Sequence, residues 1–185
     1  MKIDKHLNLV IPIQTDTGLV YIHSAPISRE CFEQYFLVIS KTFAAIHAEG
    51  LGSLAGPRIA YLMLKEIATQ MGKWKDVEHG LINEITRLSN AVLLTSSGWK
   101  SVPMEVVKTE LSEDDFRDFQ GYAVFFICVS AMHKKAMVEA TMAAMSALWD
   151  TLITSLDCTE FVKSLPTSTE IENTGENQAQ SSIPA

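Results

Sequence analysis

NLVIPIQTDTGLVYIHS, residues 8–24, sets two β-rich runs on either side of a turn. Residues 8–13 and 19–24 are dense in Val, Ile, Leu and Tyr, and QTDTG between them supplies Thr, Asp and Gly, which favour turns. The pattern predicts an N-terminal β-hairpin with a five-residue loop. Pro12 has no N–H to give to a ladder, which places the first strand at an edge or turns the proline outward.

Downstream of Pro26 the periodicity changes from two to about 3.6. Ser28 suits a helix N-cap and Glu30 the first turn. Phe32, Tyr35, Phe36, Ile39, Phe43 and Ile46 recur at three- and four-residue steps, predicting a helix to about Glu49.

EGLGSLAGPR, residues 49–58, has the glycine content of a phosphate-binding loop, but its spacing is G-x-G-x-x-x-G and a helix precedes it. Dinucleotide and P-loop fingerprints require other spacings and a preceding strand. The expected structure is a helix–helix corner, with Gly50 past one helix end and Pro57 at the first position of the next. That second helix presents Ile59, Leu62, Met63 and Ile67.

Asp76 is the expected cap of a third helix with the stripe Val77, Leu81, Ile85 and Leu88. Residues 91–95 and 99–103 flank Ser-Ser-Gly and suggest a second short hairpin, followed by a short helix over 104–111. Ser112 with Asp115 loosely fits a capping box for a helix opening with Glu113, Asp114 and Asp115. Phe116, Phe119, Ala123, Phe126 and Ser130 share a face, and the apolar run 122–132 predicts a helix buried on most sides. A last long helix is expected over 137–153, and a short segment 158–164 precedes Pro166.

The expected fold is mainly α (α+β): one helical domain over 1–165 with a small N-terminal hairpin and the second short hairpin. The tail 166–185 is polar and acidic, with Ile171 and Ile183 its only large apolar residues, and is expected to be disordered. The 185-residue chain is long enough to bury roughly 70% of its unfolded surface.

The formal net charge of −7, with 20% charged residues and no basic run longer than Lys134-Lys135, argues against nucleic acid as the main partner. The longest apolar run, Tyr122–Met132, is shorter than the ~20 residues of a membrane span. The N-terminus lacks signal-peptide character, so a cytoplasmic location is expected.

The three cysteines, Cys31, Cys128 and Cys158, cannot all pair and show no metal spacing. The five histidines form no metal-ligand pattern, and no nucleophile elbow occurs. Asp114, Asp115 and Asp118 suit a hard cation in type, but capping and solvation account for them without one. No catalytic residue, metal or cofactor is expected. Met132, Met137, Met142 and Met145 could form either an adaptable binding surface or core filler.

MKIDKHLNLVIPI, VYIHSAPISRECFEQYFLVISKTFAAIHAEGLG, AGPRIAYLMLKEIA and SLPTSTE…SSIPA together resemble the tail assembly chaperones of siphophages, over almost the whole chain. The resemblance implies a host-cytoplasmic protein that coats the aggregation-prone tape measure protein until tail tube protein polymerises around it. It also implies a longer frameshifted product that recruits the tube protein. On that reading Glu113, Asp114, Asp115 and Asp118, with the four methionines, are the expected partner-binding residues. The alternative is a virion structural protein, a minor tail or connector component. Homo-oligomerisation is left open.

Overall fold

A computed structural model describes residues 7–15, 18–48, 52–109, 111–132, 137–138, 140–141, 143 and 151–166, with the backbone alone for 52–55. Strands β1 (Asn8–Thr15) and β2 (Gly18–Ser24) pair antiparallel from Leu9↔Ser24 to Thr15↔Gly18, so the connection is shorter than the predicted five residues. Strands β3 (Ser89–Thr95) and β4 (Gly98–Pro103) repeat this construction up to Thr95↔Gly98. In each hairpin the threonine hydroxyl donates to the glycine carbonyl, at 2.8 Å for Thr15 and 2.6 Å for Thr95. Gly18 and Gly98 hold φ of 125° and 104°, a conformation that glycine adopts without a Cβ clash.

The two hairpins are halves of one sheet. β2 pairs antiparallel with β3 from Val20↔Leu93 to Ser24↔Ser89, and β5 (Leu152–Thr154) pairs with β1. The order is β4-β3-β2-β1-β5. This corrects the expected mainly α fold with a small hairpin: the protein is built on a five-stranded antiparallel sheet with helices against it. Isolated hairpins are marginal in water, and joining them buries an apolar face shared with the helices. The joint links segments some 70 residues apart, beyond the reach of local periodicity.

Helices α1 (Arg29–Ala48) and α2 (Gly52–Gln70) follow the first hairpin. Next come α3 (Trp74–Val77), a π-helical turn (Glu78–Ile82) and α4 (Asn83–Arg87). Short α5 (Met104–Val107) and long α6 (Glu113–Met132) follow β4. Among residues 137–143, those described are helical, but Leu152–Thr154 form a strand. The helix predicted over 137–153 therefore does not reach its predicted end, because pairing with Asn8–Val10 takes those residues. Helix α7 (Cys158–Ser164) carries a complete capping box between Asp157 and Glu160. Of the predicted tail 166–185, residues 167–185 lie outside the described residues.

Period-two alternation sends Leu9, Ile11, Ile13, Val20, Ile22 and Ala91 to the helix side, into one core with α1, α2, α4 and α6. Helix α6 is buried almost continuously from Phe119 to Ala131, as the apolar run predicts. In α1, Tyr35, Val38, Ile39, Thr42 and Ile46 are buried, whereas Phe36, expected in the core, is 49% exposed. Buried Thr42 satisfies its hydroxyl on the Val38 carbonyl at 2.8 Å.

Helix α2 differs from its predicted face. Gly56, Pro57, Ala60, Leu64 and Ala68 are buried, while Leu62 is 56% exposed. Helix α2 begins at Gly52, so Pro57 lies inside it rather than at its first position. A Cβ on Gly56 would strike the Phe125 ring, and a Cβ on Gly121 would strike the Pro57 carbonyl oxygen. Small residues are buried here because the two helices approach closely. A reading weighted by side-chain size picks the bulkier neighbouring stripe instead. Gly56 is thus a packing residue of a helix crossing.

A similarly close approach occurs at the π turn. A Cβ on Gly80 would collide with the Tyr35 hydroxyl, and Tyr35 Oη donates to the Asp76 carbonyl at 3.3 Å. A π turn disturbs the local ladder, and this outside donor serves a carbonyl beside it. Asp76 lies within α3, whose N-cap is Lys73, and so does not cap it as predicted. Ser112 does cap α6, accepting from the Asp115 N–H at 3.1 Å.

Replacing either crossing glycine should separate α2 from α6. Gly121→Ala should cost about 1–3 kcal/mol in urea unfolding, as overpacking does. Gly56→Ala should cost less, because an aromatic ring can shift where a backbone carbonyl cannot. Equal stability of Gly121→Ala and the native chain would refute the close crossing.

Candidate functional site

The sheet face turned away from the helix layer carries an open apolar surface with a defined shape. Alternation places Val10 and Pro12 of β1, Leu19 and Tyr21 of β2, Val92 and Leu94 of β3 and Trp99 of β4 on this side. Helix α7 lies across part of it. Phe161 stacks edge-on against Tyr21 at 5.7 Å between centroids, and Tyr21 meets Trp99 at 5.4 Å. Val10, Val92 and Phe161 form a second, smaller core beneath the helix.

Two polar side chains hold the segment leading into α7. Asn8 Nδ2 donates to the Leu156 carbonyl at 2.8 Å, and His23 Nε2 donates to the same oxygen at 3.1 Å. His23 is buried, and desolvation lowers its pKa against the opposing pull of the Leu156 carbonyl and Asp157. A carbonyl oxygen can only accept, so Nε2 carries the proton in this contact.

Beside α7 the covering stops, leaving a groove of about 310 Å³ lined by Val10, Pro12, Leu19, Tyr21, Leu152, Phe161 and Leu165. Leu152 is 50% exposed and Leu19 38%, and neighbouring Leu94 is 47% exposed. The β5 ladder runs from Asn8↔Thr154 to Val10↔Leu152, so Pro12 stands past its end. Proline is tolerated where its missing N–H is not required by a ladder, which reconciles it with a strand that has neighbours on both sides.

The sequence-predicted partner-binding residues lie elsewhere. Glu113, Asp114 and Asp118 are exposed and Asp115 half-buried at the start of α6, in the helix layer. Ser112 donates to Asp115 Oδ2 at 2.7 Å, and Glu113 lies 4.0 Å from Arg117. Met132 is half-buried at the end of α6 and Met137 is 55% exposed. Met142 and Met145 lie outside the described residues. The acidic group and the outer groove therefore occupy opposite sides of the sheet.

A second, more polar cleft of about 380 Å³ opens against the π turn, between Tyr61, Glu78, Asn83, Lys108, Phe116 and Gln120. Burial raises all three thiols, Cys31 to about 11 and Cys128 to about 12, which leaves little thiolate at neutral pH. Among the described residues, no group of three or more His, Cys, Asp or Glu is placed to hold a metal ion. Among them, too, no helix is long and apolar enough to cross a membrane.

The groove was only partly legible in the sequence. The alternation in residues 8–24 marks an outward row, but the covering partners Phe161, Leu165 and Trp99 come from distant segments without a common motif. No family model, curated protein or solved structure matches the chain.

His23 yields a pH prediction. Its folded pKa lies below the unfolded value of about 6.5, so as pH falls the unfolded chain takes up the proton first. Its contribution to stability is present above that pH and is lost as pH drops through the lower folded value. The urea midpoint should therefore fall on acidification below pH ~6.5, and His23→Gln should flatten that part of the profile. An unchanged profile in the variant would assign the dependence to another group.

Proposed function

We propose that this protein acts by binding rather than catalysis, as a tail assembly chaperone that keeps the tape measure protein soluble in the host cytoplasm until tail tube protein assembles around it. The observation that carries the reading is the outer-face groove, where Leu19 and Leu152 remain exposed, with Leu94 exposed beside it, on a folded, acidic chain. Apolar side chains of a partner segment fit such a surface, since burying one large aliphatic side chain contributes about 1.5–3 kcal/mol. The resemblance to siphophage tail assembly chaperones supplies the identity of the partner. The raised thiol pKa values fit a role without nucleophilic chemistry.

The acidic start of α6 has a separate part in this reading. Glu113, Asp114 and Asp118 attract basic partner segments and favour the dispersed complex, while the groove supplies apolar contact. Asp115 is better left intact in a test, because it shares a hydrogen bond with the capping Ser112.

Co-expression with the tape measure protein provides that test. The native chain should co-purify with it and be absent from finished particles; presence in virions at fixed copy number would instead make it a structural component. Leu19→Asp with Leu152→Asp should abolish co-purification at every salt concentration. Neutralising Glu113, Asp114 and Asp118 should weaken it at low salt only, with the difference gone near 1 M, where the screening length is about 3 Å. Native-like co-purification by the leucine variant would remove the groove from the mechanism.

A further inference from the structure

We propose that the apolar row at the edge of the outer-face groove is a docking surface for the chain's own C-terminal segment, with Ile171 seated against Leu19, which lines the groove, and Leu94 beside it. The course of the chain points there. Helix α7 ends beside the groove, which Leu165 helps to line. The next residue, Pro166, is tied to the sheet by its carbonyl, which accepts from Trp99 Nε1 at 2.9 Å.

Trp99 is the first member of an apolar row across the outer face. The register pairs Leu94 with Trp99, and Leu19 stands one step beyond the last β2–β3 pair, Val20↔Leu93, on the far side of Leu94. Trp99 has the ring of Tyr21 beside it, whereas Leu94 and Leu19 are 47% and 38% exposed. The chain therefore leaves the described fold at the head of an uncovered apolar row.

Reach and composition agree with that course. Strands lie about 4.8 Å apart, so Leu19 is about 10 Å from Trp99 across two strand spacings. Ile171 follows Pro166 by five residues, and that length of extended chain spans about 17 Å. In residues 167–185 the only large apolar side chains are Ile171 and Ile183. Ile171 is the nearer, and the polar residues around it have no use for an apolar groove. A partner using the same groove would have to displace the segment, whatever that partner is.

Methyl NMR of the full chain, labelled at Ile and Leu, tests this without any partner protein. Cross-peaks from the Ile171 methyl to the Leu19 and Leu94 methyls are expected. Ile171→Asp should remove them and raise anilinonaphthalene sulfonate fluorescence about twofold or more, since that dye reports exposed apolar surface. Ile183→Asp should leave both readings at native level. A sharp, random-coil Ile171 signal without cross-peaks, together with native dye binding by Ile171→Asp, would overturn the proposal. Cross-peaks seen only between differently labelled copies would overturn it too, by placing a second molecule in the groove.

Discussion

The pairing of β2 with β3 is the constraint on which the architecture rests. It joins two hairpins that each close on a threonine–glycine turn, and it creates a sheet face wide enough for the helices between and after them to cover. Register matters because the side-chain period is two. With Ile22 opposite Ala91 and Tyr21 opposite Val92, all the Leu, Ile and Val side chains needed by the large core point one way. A slip by one residue would send Tyr21 and His23 into the helix layer and expose Ile22. The link between Ser24 and Ser89 hydroxyls, 2.8 Å apart and buried, marks the far end of this joint.

Against that face the helices pack by closeness rather than bulk. Gly56 and Gly121 let α2 and α6 approach so closely that a Cβ at Gly121 would strike the Pro57 carbonyl and one at Gly56 would press on the Phe125 ring, and Gly80 likewise makes room for the Tyr35 hydroxyl. These contacts explain why α6 can be buried nearly all round: α2 and α1 flank it and β1 lies against it. The π turn belongs to the same economy of space, since Tyr35 reaches a backbone carbonyl there.

The opposite face of the sheet is covered only in part. Helix α7 is short, and its attachment relies on Phe161, on its capping box and on the two side chains that share the Leu156 carbonyl. A seven-residue helix cannot span five strands, so an apolar strip remains beside it. Large apolar side chains left exposed in a row are more informative than scattered ones, because contiguous apolar surface marks interaction sites. The helix layer presents its acidic α6 start on the other side, so charge and apolar contact are spatially separate resources in this molecule.

By itself the sequence determined the local pieces. Alternation and turn residues located both hairpins, 3.6-residue periodicity located α1, α2 and the buried α6, and Ser112 stands at a helix start where capping chemistry is satisfied. The spacing of the glycines at 50–56, with a helix before them, also argued for a helix–helix corner over a nucleotide loop. Tertiary structure decided what those pieces become. Leu152–Thr154 carry no strong local signal, and they form a strand because β1 offers them hydrogen bonds. Phe36 and Leu62 are as apolar as their neighbours, yet they face outward because α1 and α2 are turned by contacts with other helices. The groove arises in the same way, from β1, β2, β5 and α7 meeting at one place. Local propensity follows from a few bonds of chain and is written in short windows, whereas burial depends on which distant surfaces meet, and only the folded chain brings those together.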